Sequence, residues 1–137
     1  MRPLRLEIEA FGSFPGREVI DFAGLAGRGL FVVTGPTGSG KTTIFDAMVF
    51  ALYGKLPGSR DASDVRSHHA AVDARTQVTF DFEVDGVAYR VTRNPAYERP
   101  KQRGTGVTNE AANASLVTFR RPNAIGDTPA IRRTLSR

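Results

Sequence analysis

The chain has 137 residues, 40% of them hydrophobic and 24% charged, enough for one soluble globular domain with a modest core. It has no cysteine, which excludes a disulfide frame and a thiolate metal site. No apolar run approaches bilayer length, and Met1-Arg2-Pro3 opens no signal peptide, so a cytoplasmic protein without membrane contact is expected.

Leu4, Leu6, Ile8 and Ala10 alternate with Arg5, Glu7 and Glu9, the period of a half-buried strand. The cluster Gly12-Ser13-Phe14-Pro15-Gly16 breaks it, and "REVIDF" resumes as a second strand. After a glycine-rich loop, "LFVVT" (30–34) is a continuous apolar run of the kind found in a fully buried strand. Ile44, Met48, Ala51 and Leu52 then recur at helical spacing, with Phe45 and Val49 widening the apolar face, which predicts a helix buried on most sides and stopped by Gly54. Residues 55–76 are polar and irregular.

The sharpest local pattern is "VTFDFEVDGVAYRV". Alternating residues on either side of Asp85-Gly86 predict a hairpin with a type I′ turn. That register sets Phe82 opposite Tyr89 on the apolar face and Asp81 opposite Arg90 on the polar one. From Asn94 the sequence reads as a long polar connection, with "SLVTF" (115–119) as one further strand. Residues 120–137 show no periodicity and carry five arginines against Asp127, which predicts a basic disordered tail after a folded lobe of residues 1–119.

Between the apolar run and the helix, Gly35-Pro36-Thr37-Gly38-Ser39-Gly40-Lys41-Thr42 fits G-x-x-x-x-G-K-[ST] at every fixed position. Glycines let successive backbone N–H groups converge on phosphate oxygens at a helix N-terminus. Lys41, the candidate catalytic residue, brings a point charge to the β- and γ-phosphates. The Thr42 hydroxyl is a hard-oxygen ligand for Mg²⁺, and Thr43 is placed to help hold the α-phosphate. Hydrolysis would also need a carboxylate on a second buried strand to hold the Mg²⁺ shell, and a residue that positions water. Asp81 lies in a strictly alternating strand and is better read as the partner of Arg90, while Asp46 suits an interior hydrogen bond.

"LRLEIEAFGSF", "REVIDF", "GLFVVTGPTGSGKTTIFDAMVFALYG" and "YRVTRNPAYERPKQRGTG" together resemble, in the same order, the N-terminal lobe of the SbcC family of SMC-like DNA-repair ATPases. The resemblance implies an α/β fold, an ABC-ATPase-like P-loop NTPase lobe with an antiparallel β layer. It implies ATP and Mg²⁺ at residues 35–43, with Ser13, in the loop Phe11-Gly12-Ser13, at the nucleotide edge. It further implies an SbcD-like nuclease partner and a C-terminal lobe that supplies the signature and Walker B motifs of a head dimer. The family's Q-loop glutamine, coiled coil and C-terminal lobe are absent from these residues, so the sequence reads as a truncated copy or the first piece of a split one, inactive in hydrolysis unless complemented.

His68-His69 lacks any accompanying carboxylate cluster and reads as an exposed loop pair. Arg90, Arg93, Arg99, Lys101 and Arg103, interleaved with Tyr89 and Tyr97, suit either a DNA backbone or a solvated hairpin extension. Two other functions stay open: a free-standing small P-loop kinase or NTPase, and a DNA-binding fragment with a vestigial P-loop.

Overall fold

The computed structural model describes residues 1–25, 30–101, 105–120 and 130–136. The alternating N-terminal stretch forms β1 (Arg2–Phe11), which turns at Gly12-Ser13 into β2 (Phe14–Asp21). The other edge of β1 pairs antiparallel with β3 (Gln77–Val84). The turn Asp85-Gly86 carries β3 into β4 (Val87–Asn94), with φ of 49° and 78° at its two residues, the positive pair that a type I′ turn requires. A separate two-stranded sheet of β5 (Tyr97–Pro100) and β6 (Val107–Glu110) occupies the stretch expected to be an irregular connection. The chain then returns as β7 (Asn113–Arg120) beside β4, and β8 (Ala130–Ser136) pairs with β7. The main sheet is six-stranded, in the order β2-β1-β3-β4-β7-β8.

Register turns this sheet into two faces. Ile20, Leu6, Phe80, Val91, Leu116 and Leu135 align in one row across all six strands. Helix α1 (Lys41–Tyr53) lies over β1, β3 and β4 and buries Ala47, Phe50 and Ala51 with Leu6, Ile8, Val78 and Phe80 in one core. The next row, Asp21, Arg5, Asp81 and Arg90, is charged. A one-residue slip would exchange these rows, so burial of Leu6, Phe80 and Val91 fixes the pairing of β1, β3 and β4.

Three expectations are corrected. Residues 30–34 form no strand: Leu30 and Val32 are 84% and 76% exposed. An apolar run becomes a buried strand only with neighbours on its edges, and among the described residues no strand pairs with it. Helix α1 buries one stripe, Thr43, Asp46, Ala47, Phe50 and Ala51, rather than most of its surface; Phe45 and Tyr53 are exposed. Residues 130–136 of the expected disordered tail are a strand, whose register against β7 breaks at Thr118/Phe119. That irregularity hides the period of two from a reading of the sequence alone. Residues 121–129 and Arg137 lie outside the described residues, and so does Arg103. Among the described residues no helix is long and apolar enough to cross a membrane.

Candidate phosphate-binding site

The loop from Gly35 to Gly40 turns on a Ser39 N–H to Pro36 carbonyl bond of 3.3 Å and feeds α1, whose first helical bond runs from the Ile44 N–H to the Gly40 carbonyl. Gly40 is the N-cap, in the left-handed region with φ 84°, and no side chain caps the helix. The opening amides of α1 therefore have no side-chain acceptor, and the positive end of the helix dipole faces the loop. Lys41 Nζ folds back over the loop, donating to the carbonyls of Gly35 (2.8 Å) and Pro36 (2.6 Å). A cation in the same loop as uncapped helix-opening amides is an arrangement that suits an anion. Thr37 and Gly38 form the outer turn of the loop, and Thr42 is exposed in the first helical turn.

The β1–β2 turn grips the start of α1 from the side. A Cβ on Gly12 would lie 2.6 Å from Thr43 Cγ2, so the turn approaches closer than any other residue permits. Ser13 Oγ and Thr43 Oγ1 are hydrogen-bonded at 3.0 Å. A Cβ on Gly40 would meet Phe14 Cζ at 2.7 Å. The turn is anchored in its own right by Gly12 N–H to Val65 carbonyl (2.7 Å) and Ser67 N–H to Ala10 carbonyl (2.9 Å). Thus the loop and Ser13, distant in sequence, are neighbours. Thr43, assigned to the α-phosphate by sequence, is buried with its hydroxyl on Ser13. Phe14 was invisible to sequence reasoning, because its contact with Gly40 depends on tertiary placement.

The buried carboxylates among the described residues, Asp46 and Asp81, are both paired. Arg60 forks onto Asp46 with two bonds of 2.8 Å, which raises the guanidinium pKa above its ordinary value. Arg90 reaches Asp81 at 2.6 and 2.7 Å; that hydrogen bond likewise holds the Arg90 pKa up, against the opposing effect of burial. Bidentate geometry of this kind fixes both partners. Arg93 extends from β4 to the other end of α1 and donates to the Ala51 carbonyl at 2.9 Å, and its burial lowers its pKa.

Among the described residues of the basic-aromatic stretch, the arginines have partners. Arg90 and Arg93 are committed as described, Arg99 binds Glu110 at 2.8 Å, and Tyr97 lies under the Arg66 guanidinium at 5.0 Å. A depression of about 530 Å³ beside Tyr97 joins Arg75, Arg99 and Lys101 with Asp73 and Glu110, a mixed rather than a basic surface. His68 and His69 are exposed in a turn.

A glycine-rich loop opening a helix over a β layer suits a nucleotide-handling domain, and the chain belongs to the AAA domain family, which it matches over residues 5–128. Within that class it is similar to the SbcC component of nuclease SbcCD. It is 46% identical to the Vibrio cholerae protein over 121 residues, 88% of this chain, and 42% identical to that of Lactococcus lactis over 125 residues, 91% of this chain. The Staphylococcus aureus (strain MRSA252) protein is 44% identical over 98 residues, 71% of this chain. The chain spans only 12% of the length of the Vibrio cholerae and Lactococcus lactis relatives.

Proposed function

We propose that this chain is the ATP-binding half of an SbcC-like ATPase, acting in DNA double-strand-break repair in the cytoplasm. An SbcD-like nuclease and an SbcC-type C-terminal lobe are its partners. One observation carries the reading: Lys41 is held by the Gly35 and Pro36 carbonyls, so a cation and helix-opening amides without a side-chain acceptor share one small loop. Such a loop fits a polyphosphate. Thr37, Gly38 and Gly40 supply backbone N–H groups, Lys41 contacts the β- and γ-phosphates, and the exposed Thr42 hydroxyl takes a place in a Mg²⁺ shell. Ser13 closes the nucleotide edge, and Thr43 joins it to the helix. Mg²⁺, when bound, neutralises charge on the β- and γ-oxygens. Among the described residues, the arginines of β4 and β5 are committed to partners within the chain, which makes a DNA-binding fragment the weaker reading.

Calorimetry with Mg²⁺·ATP tests the assignment. Wild type binds, and Lys41→Ala abolishes binding with an unchanged circular dichroism spectrum. Equal affinity for the two proteins would refute the site.

A further inference from the structure

We infer that Phe14 is a positioning residue for the phosphate loop: its ring is the surface against which Gly40 is set. A Cβ built on Gly40 would stand 2.7 Å from Phe14 Cζ and 3.2 Å from both Cε atoms, which places it over the Cζ end of the ring face. Gly40 is the residue at which loop becomes helix, held left-handed at φ 84° with no side-chain cap to fix it. Its orientation is therefore set from outside, by whatever it rests on. Phe14 suits that task because both of its sides are tied. It is the first residue of β2, paired with Phe11 across the turn, and its half-buried ring packs on the main core. The preceding residue, Ser13, binds Thr43 at 3.0 Å, so two adjacent residues of the turn contact the start of α1, one at Gly40 and one at Thr43. A planar face supports a glycine Cα without blocking the amides beside it, whereas an aliphatic side chain offers an irregular surface.

The inference rests on the proposed nucleotide site, and two readouts separate their failures. In the nucleotide-free protein, amide exchange of Phe14→Leu is faster at residues 40–44 and unchanged in β3 and β4, while Phe14→Tyr, which keeps the ring face, matches wild type. With Mg²⁺·ATP, Phe14→Leu binds about tenfold more weakly, the size usual when support behind a ligand is lost. Phe14→Tyr restores the affinity. If wild type binds no ATP, the nucleotide assignment fails and the exchange result alone decides the role of Phe14. Unchanged exchange at 40–44 in Phe14→Leu would overturn the inference. So would a loss of protection spread equally over β3 and β4, which would make Phe14 an ordinary core residue.

Discussion

At 4% exposure in the middle of β3, Asp81 has to be satisfied inside the protein, and Arg90 directly across the hairpin does so with two hydrogen bonds. The Arg90 guanidinium also lies 5.3 Å from the Phe119 ring, so one side chain links β3, β4 and β7. Truncating it strands a buried charge. Arg90→Ala is therefore expected to destabilise the fold by about 3 kcal/mol, the low end for a broken buried pair because the Arg90 side chain is 31% exposed. Urea unfolding measures this, and a loss below about 0.5 kcal/mol, the size of an exposed pair, would show that Asp81 finds another partner. This pair was legible in the sequence because a hairpin with a fixed turn also fixes who faces whom. Arg93 was not, since its acceptor in α1 is 42 residues away and nothing local marks it.

Among the elements, α1 shows how a helix is held at both ends by the sheet. The β1–β2 turn grips its start, while Gly54 N–H bonds the Phe50 carbonyl at 2.7 Å and Arg93 bonds that of Ala51 at its end. A cation at a helix C-terminus offsets the dipole and satisfies an orphan carbonyl. Arg93→Ala is expected to cost about 1–2 kcal/mol, the range for a partly buried cation at this position. Faster amide exchange in residues 50–54 would accompany it; protection lost first in β4 instead would contradict the assignment. The β1–β2 pair has a pH-dependent fastening. Hydrogen bonding from Arg17 holds the Glu7 carboxyl below its ordinary range against a smaller opposing effect of burial, and Arg5 adds to the depression. A depressed folded pKa contributes stability that is present above the unfolded value and disappears as pH falls through the folded one. Wild type should lose stability across that acidic window more steeply than Glu7→Gln, with parallel curves near neutrality. Identical acid slopes would remove Glu7 from the account. The first two strands, α1 and the hairpin follow from period and turn chemistry, so the sequence located them. Residues 30–34 and β8 depend on what lies beside them, which periodicity cannot report.

For the whole molecule, the 35–40 loop sits on its β support, while several large apolar side chains around it are exposed. Leu30 and Val32 are exposed at 84% and 76%, and Phe45 and Tyr53 at 50% and 72%. Phe31, between the first two, packs on the core with its ring 5.8 Å from that of Phe22. The segment leading into the loop thus has the alternation of a strand, with no partner among the described residues. Phosphoryl transfer depends on positioned charges and a held water, and losing one such element commonly costs about 10²–10³ in rate. Among the described residues the buried carboxylates, Asp46 and Asp81, are spent on Arg60 and Arg90. The chain alone is therefore expected to bind ATP but turn it over negligibly. A separately expressed SbcC-type C-terminal lobe should restore turnover and, at the same time, protect the amides of residues 30–34 by pairing with them. A single-turnover assay with Lys41→Ala as control, run with and without the lobe alongside amide exchange, reads both effects. Lys41-dependent turnover near 1 s⁻¹ by the chain alone, within the usual range for enzymes at roughly 1–10³ s⁻¹, would mean that a carboxylate within it is catalytic. Stimulation without protection at 30–34 would place the lobe on another face. Protection without stimulation would make the segment a docking strand with no part in completing the site.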